Sequence, residues 1–430
     1  MHILLIHQYF LEKGDSGGLR WNEMAKIWSE KGHKVTVVAG MTHYANGVRN
    51  PKYNNKYTFV DAFSPNIKVI RSHVSDSYND SFRGRLKAYF SFVFSGIYAG
   101  LFKAKEKYDV ILVSSPPLSV GIIALILSTF KRIPIIFEIR DLWPESAIDT
   151  GILKNKMIIK ISYWLERRLY KKAKLINALT PAIKETLIHK KKVPASKIIY
   201  IPNAADFDLS DKMLTDFDIS TFRKGLGFDN EFILCYVGAH GLANNLIQLL
   251  DTAQLLRNEN VVFILIGDGM EKKMLMQTVI EKNITNVHFF DSVPKADVLK
   301  FILAADAGIS VLKKVEAFKT VFSNKTFDYM ACKKPVLMAI DGISRELVET
   351  AGAGIYVEPE NAKDFAEKIR TYLHDPTLIK LHGENGYKYA KKHFDRKTLS
   401  LEYLQIIETH FGFNSKNSVS NKINHKVSNV

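Results

Sequence analysis

Short apolar runs alternate with amphipathic stretches along the first 205 residues of the chain. Compact apolar runs are typical of buried strands, whereas apolar positions that recur every three or four residues are typical of helices packed on a sheet. The pattern predicts strands at 3–10, 34–39, 67–71, 109–115, 133–139, 176–179 and 198–201, and helices at 19–30, 118–130 and within 151–190. Such alternation favours a mainly parallel sheet covered by helices.

The same alternation resumes after a polar stretch at 207–230, which we interpret as a linker. Further strands are predicted at 232–237, 261–266, 287–290 and 355–357, and helices at 246–257, 344–350, 361–374 and 377–392. A chain of 430 residues is too long for one hydrophobic core, so the sequence predicts two doubly wound α/β domains, at 1–205 and 206–390. We expect a helix within 391–412 to pack back on the first domain and residues 413–430 to be a disordered tail.

An uncharged stretch rich in Phe and Tyr covers residues 88–102, with basic residues on both sides. It is fifteen residues long, shorter than the ~20 residues that a membrane-spanning helix needs. Two interpretations remain open. The stretch is either a helix that lies in a membrane surface or a helix buried within the N-terminal domain.

The net charge of +16 is concentrated in one part of the chain. Residues 151–200 contain thirteen Lys or Arg against only Glu166 and Glu185. A basic block of this kind can bind nucleic acid or anionic lipid, or it can serve solubility. The aromatic stretch at 88–102 favours lipid.

Cys235 and Cys332 are the only cysteines, and both fall in apolar or helical patterns. We therefore expect neither a disulfide scaffold nor a cysteine metal cluster, as is usual in a reducing cytosol. The chain opens on a predicted strand without the charged head and cleavage site of a secretory signal, so we expect a cytoplasmic protein.

The most informative chemistry lies at residues 323–338. Ser323 and Asn324 precede a short helical pattern, and a basic turn with a proline and a strand follow it. Unpaired N–H groups at a helix N-terminus bind anions, and Lys325 adds a positive charge there. Asp328 lies one turn further on, where its carboxylate would accept hydrogen bonds from a ribose. On local chemistry alone two interpretations remain open: a seat for a phosphorylated nucleoside, or an ordinary amphipathic helix between two strands with Asp328 exposed to solvent.

Other candidate residues follow predicted strands, where ligands of doubly wound sheets bind. Gly17 and Gly18 lie between the first strand and its helix, a place where a ligand can approach the backbone closely. Arg140 and Asp141 follow the strand at 133–139. In the second domain the candidates are Gly238, His240 and Gly241 in one turn and Val293 in another.

Residues 328–336, Asp-Tyr-Met-Ala-Cys-Lys-Lys-Pro-Val, resemble the nucleotide-sugar signature of the family 4 glycosyltransferases, which is E-A-M-A-x-G-x-P-V. That family carries two acids eight positions apart. Asp328 takes the place of the second acid, Thr320 stands where the first would be, and Glu316 is a candidate substitute for it. The phrases at 138–146 and 323–325 resemble the branch that builds bacterial O-antigens and capsules, especially the amino-sugar transferases of the L-fucosamine type.

The resemblance implies the GT-B architecture, in which two Rossmann-like domains face each other across a cleft. It implies transfer from a nucleotide-sugar, in our expectation a UDP-sugar, to a polyprenyl-diphosphate-linked glycan with retention of configuration. Helix N-termini and basic side chains neutralise the departing diphosphate in such enzymes, so we expect no metal and no cofactor. We expect the partners to be the nucleotide-sugar, the lipid-linked acceptor and the inner face of the bacterial membrane, and no nucleic acid.

The resemblance also implies roles for the candidates. The loop with Gly17 and Gly18 would face the donor diphosphate and sugar, and the turn that includes Val293 would meet the base. The turn at Gly238 lacks the Arg and Lys that this family often carries there, so Lys325 is expected to supply the charge. Asp141 is expected to orient the acceptor or the reacting sugar, and together with Arg140 and Glu316 it completes the catalytic candidates.

Two other functions fit parts of the pattern. A nucleotide-sugar epimerase shares the double fold, but it would carry catalytic acids in both domains and would not need the stretch at 88–102. A nucleic-acid-binding protein could use the block at 151–200, although that block contains no recognised reading motif. Asp-x-Asp letters, which some metal-dependent sugar transferases use, occur at 206–208 and 216–218, in the predicted hinge region.

Overall fold

The computed structural model describes residues 1–413 except 16, 44–46, 48, 80 and 81. All but the first residue of the predicted tail at 413–430 therefore lie outside the described residues. The described residues form two α/β units that each contain one sheet, with eight strands in the first and six in the second. The α/β class and the pair of doubly wound sheets predicted from the sequence are confirmed.

The first sheet has the strand order β3-β4-β2-β1-β5-β6-β7-β8, and only the β3 and β4 pair is antiparallel. Its central strand β1 lies between β2 and β5, with Leu5 opposite Val37 and Leu112. Beyond their first residues, His2 and Lys34, the strands β1 and β2 are buried because helices cover both faces of the sheet. The strands are β1 (His2–Ile6), β2 (Lys34–Gly40), β3 (Thr58–Ser64), β4 (Ile67–Ser72), β5 (Val110–Ser115), β6 (Ile135–Ile139), β7 (Leu175–Ala178) and β8 (Ile198–Tyr200).

Six helices belong to the first unit. They are α1 (Arg20–Glu30), α2 (Phe82–Tyr98), α3 (Val120–Lys131), α4 (Glu145–Asp149), α5 (Lys156–Lys172) and α6 (Pro181–His189). A π-helical turn, Ala99–Lys103, prolongs α2. Helix α3 lies between α2 and α5 and contacts both, so these three helices share one face of the sheet. The aromatic stretch at 88–102 is thus a helix at the edge of this layer, buried on one side through Phe92 and exposed on the other.

The second sheet is entirely parallel, with the order β11-β10-β9-β12-β13-β14. Its strands are β9 (Phe232–Val237), β10 (Val261–Ile266), β11 (Val287–Phe290), β12 (Ala307–Val311), β13 (Val336–Ala339) and β14 (Gly354–Tyr356). The helices between and after them are α9 (Ile247–Leu255), α10 (Lys272–Glu281), α11 (Lys295–Ala304), α12 (Asn324–Ala331), α13 (Ile343–Ala351), α14 (Ala362–His374) and α15 (Thr377–His393).

The last described helix, α16 (Arg396–Phe411), follows the second sheet in sequence but packs on α1 of the first unit. The indole of Trp28 donates a hydrogen bond of 2.8 Å to the Ser400 carbonyl, and its ring meets that of Tyr403 edge-on at 5.9 Å. Both rings are fully buried. The C-terminal helix therefore ties the two units together through an apolar contact.

The structure differs from the prediction in three places. The predicted linker at 207–230 contains two helices, α7 (Phe207–Asp216) and α8 (Ile219–Gly225), and a linker was the wrong interpretation. Asp206 and Asp218 cap these helices, and Phe222 packs edge-on against Phe301, so short capped helices with few but well-placed apolar residues escaped the pattern. Strand β3 was missed because its residues are only half-buried or exposed at a sheet edge. Strand β1 ends at Ile6, four residues before the predicted limit.

No helix in the described part of the chain is both long enough and apolar enough to span a membrane.

Candidate functional site

Both sheets change the direction of strand addition at one point. In the first sheet the reversal lies at β1 and β5, and in the second it lies at β9 and β12. Loops that follow the carboxyl ends of strands at such a point diverge and leave a crevice, which is where ligands of open α/β sheets bind. In this chain the crevices of the two sheets open into one cavity.

This cavity, which we call the cleft cavity, has a volume of about 360 Å³. Its wall comes from both units, which means that a ligand inside it touches both. The first unit contributes Gly17, Gly18, Leu19, Arg20, Arg140 and Asn203, and the second contributes Val237, Gly238, Ala239, Asn244, Ile266, Gly267, Asp268, Ser292, Val293, Lys295, Val298, Asn324, Lys325, Asp328 and Arg396.

Lys325 lies in the first turn of α12, at the wall of the cleft cavity. Its ammonium stands 4.7 Å from the centre of the Tyr236 ring, and the Tyr236 hydroxyl donates a hydrogen bond of 2.8 Å to the Ala239 carbonyl. Burial lowers the pKa of Lys325 to about 8, and the Asp328 carboxylate raises it in part. A cation at an N-terminus of a helix, where the amide groups also point outward, is a site for an anion.

Two glycine turns form the backbone wall beside Lys325. Gly238 has a φ of 141°, and a Cβ there would lie 3.2 Å from the Lys325 Cε. Gly267 follows the neighbouring strand, and a Cβ there would lie 1.9 Å from the Gly238 carbonyl oxygen. The two turns pack backbone against backbone, so only glycine fits at 267, and a ligand can approach the peptide groups closely.

Asp328 lines the cleft cavity one turn beyond Lys325. Its carboxylate forms an ion pair of 2.5 Å with the ammonium of Lys295, the first residue of α11, and both side chains are largely buried. The pair holds the Asp328 carboxylate in the cavity wall, one turn along α12 from Lys325. Lys295 adds a second positive charge to the same wall.

A buried ion pair between Arg20 and Glu138 supports the wall that the first unit contributes to the cleft cavity. Arg20 donates to the Glu138 carboxylate through Nε (3.2 Å) and Nη2 (3.0 Å), and also to the carbonyls of Ile201 (3.0 Å) and Pro202 (2.5 Å). Asn177 donates a further hydrogen bond of 2.9 Å to Glu138. This network fixes the start of α1, and with it the Gly17 and Gly18 loop, to β6 and to the segment that leads into the second unit.

Arg396 brings the start of α16 to the same cavity. Its guanidinium donates to the Glu23 carboxylate and to the Ala204 carbonyl. The backbone of Ala205 pairs with Phe394 and Arg396 at 3.1 and 3.0 Å. The two chain segments that pass between the units therefore run side by side next to the site.

Arg140 and Asp141 are neighbours in sequence but face different cavities. Arg140 lines the cleft cavity, whereas Asp141 lines a second, apolar cavity with Trp143 and Ser146. The Asp141 Oδ1 atom is buried and has no hydrogen-bond partner among the described residues. Burial raises the pKa of Asp141 to about 6.

The other predicted residues divide into two groups. Gly17, Gly18, Gly238, Asn324 and Val293 line the cleft cavity together with Lys325, Asp328 and Arg140. His240, Gly241, Ser323 and Glu316 are not in its wall.

His240 is fully buried between the two glycine turns, and its ring nitrogens have no hydrogen-bond partner within the described structure. Burial lowers the pKa of His240 to about 4, so the ring is neutral. Ser323 is the residue before the first turn of α12 and is buried, and Gly241 follows His240 in its turn. These residues shape the wall from behind it.

Glu316 lies in a short 3₁₀ turn, Glu316–Thr320, that faces the first unit. Its side chain is 81% exposed and pairs with Lys319 at 2.7 Å, in a cavity separate from the cleft cavity. The Thr320 carbonyl accepts a hydrogen bond of 2.5 Å from Thr180 of the first unit. This turn connects the two units.

Sequence reasoning missed Arg20, Lys295 and Arg396. A signal existed for Arg20, because Glu138 is the one charged residue within the strand Ile135–Ile139, and a charge in a buried strand requires a buried partner. Lys295 and Arg396 carried no such signal, since their neighbours at the site lie far away in sequence.

The Asp-x-Asp letters have a structural explanation. The Asp206 side chain accepts a hydrogen bond from the Leu209 amide at the start of α7, and the Asp218 side chain does the same for Thr221 at the start of α8, each at 3.1 Å. Among the described residues, no group of three or more His, Cys, Asp or Glu side chains is placed to hold a metal ion.

Two family models match the chain, one on each unit. Residues 17–204 match the glycosyl transferase 4-like domain, and residues 218–391 match the glycosyl transferases group 1 domain. The boundary between the two matches falls in the segment that contains Asp206.

Curated relatives are similar over most of the chain. The putative colanic acid biosynthesis glycosyl transferase WcaI of Escherichia coli K12 is 22% identical over 90% of this chain and 94% of its own length. The probable glycosyltransferase WbjE of Pseudomonas aeruginosa is 25% identical over 61% of this chain and 65% of its own length.

Solved structures share the whole architecture. Anabaena HepE in complex with UDP and glucose superposes with a TM-score of 0.70 at 21% identity, over 95% of this chain and 100% of its own. WaaG, a glycosyltransferase involved in lipopolysaccharide biosynthesis, gives a TM-score of 0.67 at 17% identity, over 95% of this chain and 99% of its own. The fold of this chain is therefore that of the GT-B glycosyltransferases, with two Rossmann-like units that face each other across the cleft cavity.

Proposed function

We propose that this glycosyltransferase, whose first unit matches a glycosyl transferase 4-like domain and whose second unit matches a glycosyl transferases group 1 domain, transfers a sugar from a UDP-sugar to a polyprenyl-diphosphate-linked glycan. The observation that carries the proposal is the composition of the cleft cavity, where backbone turns of both units and the first turn of α12 surround one space. The complex of HepE, which has the same fold, with UDP and glucose supports the choice of nucleotide.

The donor diphosphate lies against the first turn of α12. Asn324 and Lys325 supply an outward-pointing N-terminus and an ammonium, and the turn at Gly238 lets the phosphates approach the backbone. Across the cavity, Gly17 and Gly18 of the first unit close the other side. Both units must therefore come together around the leaving group.

The ribose lies at Asp328, and the base lies against the turn that contains Val293. On binding, the ribose hydroxyls take over hydrogen bonds to the Asp328 carboxylate, and the Lys295 ammonium is left next to the diphosphate. Lys295 then supplies the second positive charge, which compensates for the basic residues absent from the turn at Gly238.

Bond cleavage at the anomeric carbon leaves negative charge on the diphosphate. Fixed amide groups and two partly buried ammonium groups stabilise that charge as it develops, which is the main way in which such a site lowers a barrier. The proposal assigns this work to the chain itself, without metal or cofactor, and with retention of configuration. Arg140, at the first-unit wall, orients the transferred sugar.

The acceptor side lies next to Asp141, whose carboxyl orients the acceptor at the border between the cleft cavity and the apolar cavity. A glycan acceptor is supported by WcaI, which is named for colanic acid biosynthesis, and by WaaG, which is involved in lipopolysaccharide biosynthesis. Transfer to an amino-sugar-containing O-antigen or capsule chain is the form of this reaction that the sequence resemblance favours.

An exposed apolar surface, which we call the membrane face, supports a lipid-linked acceptor. On α2 and its extension, exposed aromatic residues recur every four positions, and on α5 exposed apolar residues recur at spacings of four and three. The members are Phe90, Phe94, Tyr98 and Phe102 on the first helix, Phe130 on α3, and Met157, Ile161 and Trp164 on α5. Large exposed apolar patches mark interaction surfaces.

Basic side chains flank the membrane face. Exposed lysines and arginines of α5, among them Lys160 and Arg167, belong to the block at 151–200, and Arg168 stacks over the Trp164 ring at 5.2 Å. Apolar side chains flanked by cations are the composition of a surface that lies on an anionic membrane. We propose that the enzyme works from the cytoplasm at the inner membrane.

Incubation with UDP-, GDP- and dTDP-sugars and a polyprenyl-diphosphate-linked saccharide, followed by mass spectrometry, tests the reaction. The expected product is the acceptor extended by one sugar, formed with a UDP-sugar and lost in Lys325→Ala but retained in Lys319→Ala, an exposed lysine outside the cleft cavity. An interconverted nucleotide-sugar without transfer would instead indicate an epimerase and refute the proposal.

A further inference from the structure

A second cavity lies beside the cleft cavity, and we call it the apolar cavity. It has a volume of about 300 Å³ and is enclosed by α2, α3, α4 and α5, with Ala243 and Phe318 of the second unit at its side. A volume of this size is at the lower end of the range for small-molecule sites.

The wall of the apolar cavity is mostly carbon. The apolar members are Leu86, Tyr89, Phe90, Pro117, Leu118, Ile122, Trp143, Ala147, Ile152, Leu153, Ile158, Ile161 and Leu165. One of its few polar groups, the Thr150 hydroxyl, donates to the Ser146 carbonyl at 2.7 Å and is thereby satisfied within the protein. A ligand that makes many hydrogen bonds has few partners here, whereas a hydrocarbon gains from burial.

One end of the apolar cavity opens on the membrane face. Phe90 and Ile161 line the cavity and are also 47% and 55% exposed, so its mouth lies between the exposed stripes of α2 and α5. An apolar chain that leaves a membrane at this face would enter the protein without crossing water.

The other end meets the reaction site. Asp141 and Trp143 line it, and the residue before Asp141, Arg140, lines the cleft cavity. The Asp141 carboxyl, whose Oδ1 atom has no hydrogen-bond partner among the described residues, is one of the polar groups of this wall. A ligand whose chain occupies the apolar cavity would therefore present its polar head to the cleft.

We propose that the apolar cavity binds the head-proximal part of the hydrocarbon chain of the lipid-linked acceptor. The proposal rests on the proposed function and deepens it by assigning a site to the lipid. The cavity holds only the isoprene units next to the diphosphate, and the rest of the chain stays in the membrane. Arg168, which stacks over Trp164 on the membrane face, would meet the anionic head groups of the lipids that surround the chain at the mouth.

Calorimetric titration with farnesyl diphosphate, at concentrations below those at which it forms micelles and without vesicles, tests this assignment. We expect saturable binding to the full-length chain, and none to the same site with inorganic diphosphate. Because Trp143 is in the wall, its fluorescence should change on binding, and Trp143→Phe should remove that change.

Helix α3 offers a matched pair of variants. Ile122 lines the apolar cavity, and Ile126 lies one turn further along the same helix and is not in its wall. Ile122→Phe fills the cavity and should weaken farnesyl diphosphate binding at least tenfold, whereas Ile126→Phe should leave it unchanged. Ser162→Phe, from α5, fills the cavity from the opposite side and repeats the test if Ile122→Phe does not fold.

UDP titration of the same variants separates the two proposals. Equal farnesyl diphosphate affinity in wild type, Ile122→Phe and Ser162→Phe, with UDP binding intact, would overturn the lipid site and leave the proposed transferase standing. If farnesyl diphosphate binding depends on Ile122 but the chain neither binds nor transfers a nucleotide-sugar, the lipid site stands and the proposed transferase function is overturned. If the wild-type chain is a dimer and Ile122→Phe is not, the cavity binds a second copy of the chain, and the proposal is overturned.

Discussion

The cleft cavity and the apolar cavity lie on either side of Arg140 and Asp141, yet their walls are built differently. Peptide groups of glycine turns and paired charges form the cleft cavity, whereas helix faces form the apolar cavity. The first wall is suited to a polyanion and the second to a hydrocarbon. One segment after β6 therefore separates a charged wall from an apolar wall.

Removing the buried ion pair beneath the cleft cavity should have the largest effect. Glu138 is fully buried, and its loss leaves the Arg20 guanidinium buried without a counter-charge. We expect Glu138→Ala to reduce the free energy of unfolding by about 3–5 kcal/mol, as for other broken buried pairs. Chemical denaturation would measure the change.

The matched control is Glu185→Ala, which removes an exposed carboxylate of the same unit from its contact with His189. A surface change of this kind should stay within about 0.5 kcal/mol. Similar stability losses in the two variants would show that the Arg20 and Glu138 pair does not support the site.

Removing the Lys325 cation from the cleft cavity should slow transfer strongly while sparing the apolar cavity. Lys325→Ala should lower kcat by about 100-fold, the scale seen when one group that stabilises developing charge is removed. Steady-state assays with a UDP-sugar would measure the loss, and farnesyl diphosphate binding should be unchanged. A kcat within threefold of wild type would contradict the assigned role.

The pH dependence of UDP affinity sharpens the same assignment. Burial lowers the pKa of Lys325 to about 8, so the free protein loses this charge as the pH rises through 8. UDP binds the charged form, and its affinity should therefore fall above pH 8 by up to about tenfold per pH unit. Lys325→Arg keeps its charge across this range and should flatten the profile, as UDP titrations between pH 7 and pH 9.5 would reveal.

Disrupting the membrane face should have the smallest effect. Phe94 is 66% exposed and outside both cavity walls, and Phe94→Ser removes one ring from the stripe of α2. Since burying a Phe side chain contributes about 1.5–3 kcal/mol, we expect vesicle affinity to fall by about tenfold. Sedimentation with anionic vesicles would measure it. Ile280→Ser, an equally exposed apolar position on α10, should leave vesicle binding unchanged.

The sequence predicted those site residues that are close in sequence to the strands and helices that position them. Gly17, Gly18, Gly238 and the first turn of α12 each follow a strand, so their proximity at one cavity follows from the geometry of parallel sheets. The helices α7 and α8 were missed because only seven to ten residues, capped by aspartates, carry their pattern.

Contacts between residues that are distant in sequence could not be predicted from the pattern of apolar and polar positions. The ion pair of Lys295 with Asp328 joins positions 33 residues apart, and Arg396 reaches the site only because α16 returns to α1. The four-residue spacing of Phe90, Phe94 and Tyr98 was visible in the sequence, but only the packing of Phe92 on the core shows which side of α2 faces out.

A crystal structure with UDP bound would decide whether the cleft cavity holds the donor nucleotide. We expect the diphosphate to contact the first turn of α12 and the Lys325 ammonium, with the ribose at Asp328 and the Gly17 and Gly18 loop on the opposite side. UDP bound outside the cleft cavity, or a diphosphate that contacts neither Lys325 nor the amide groups of α12, would contradict it.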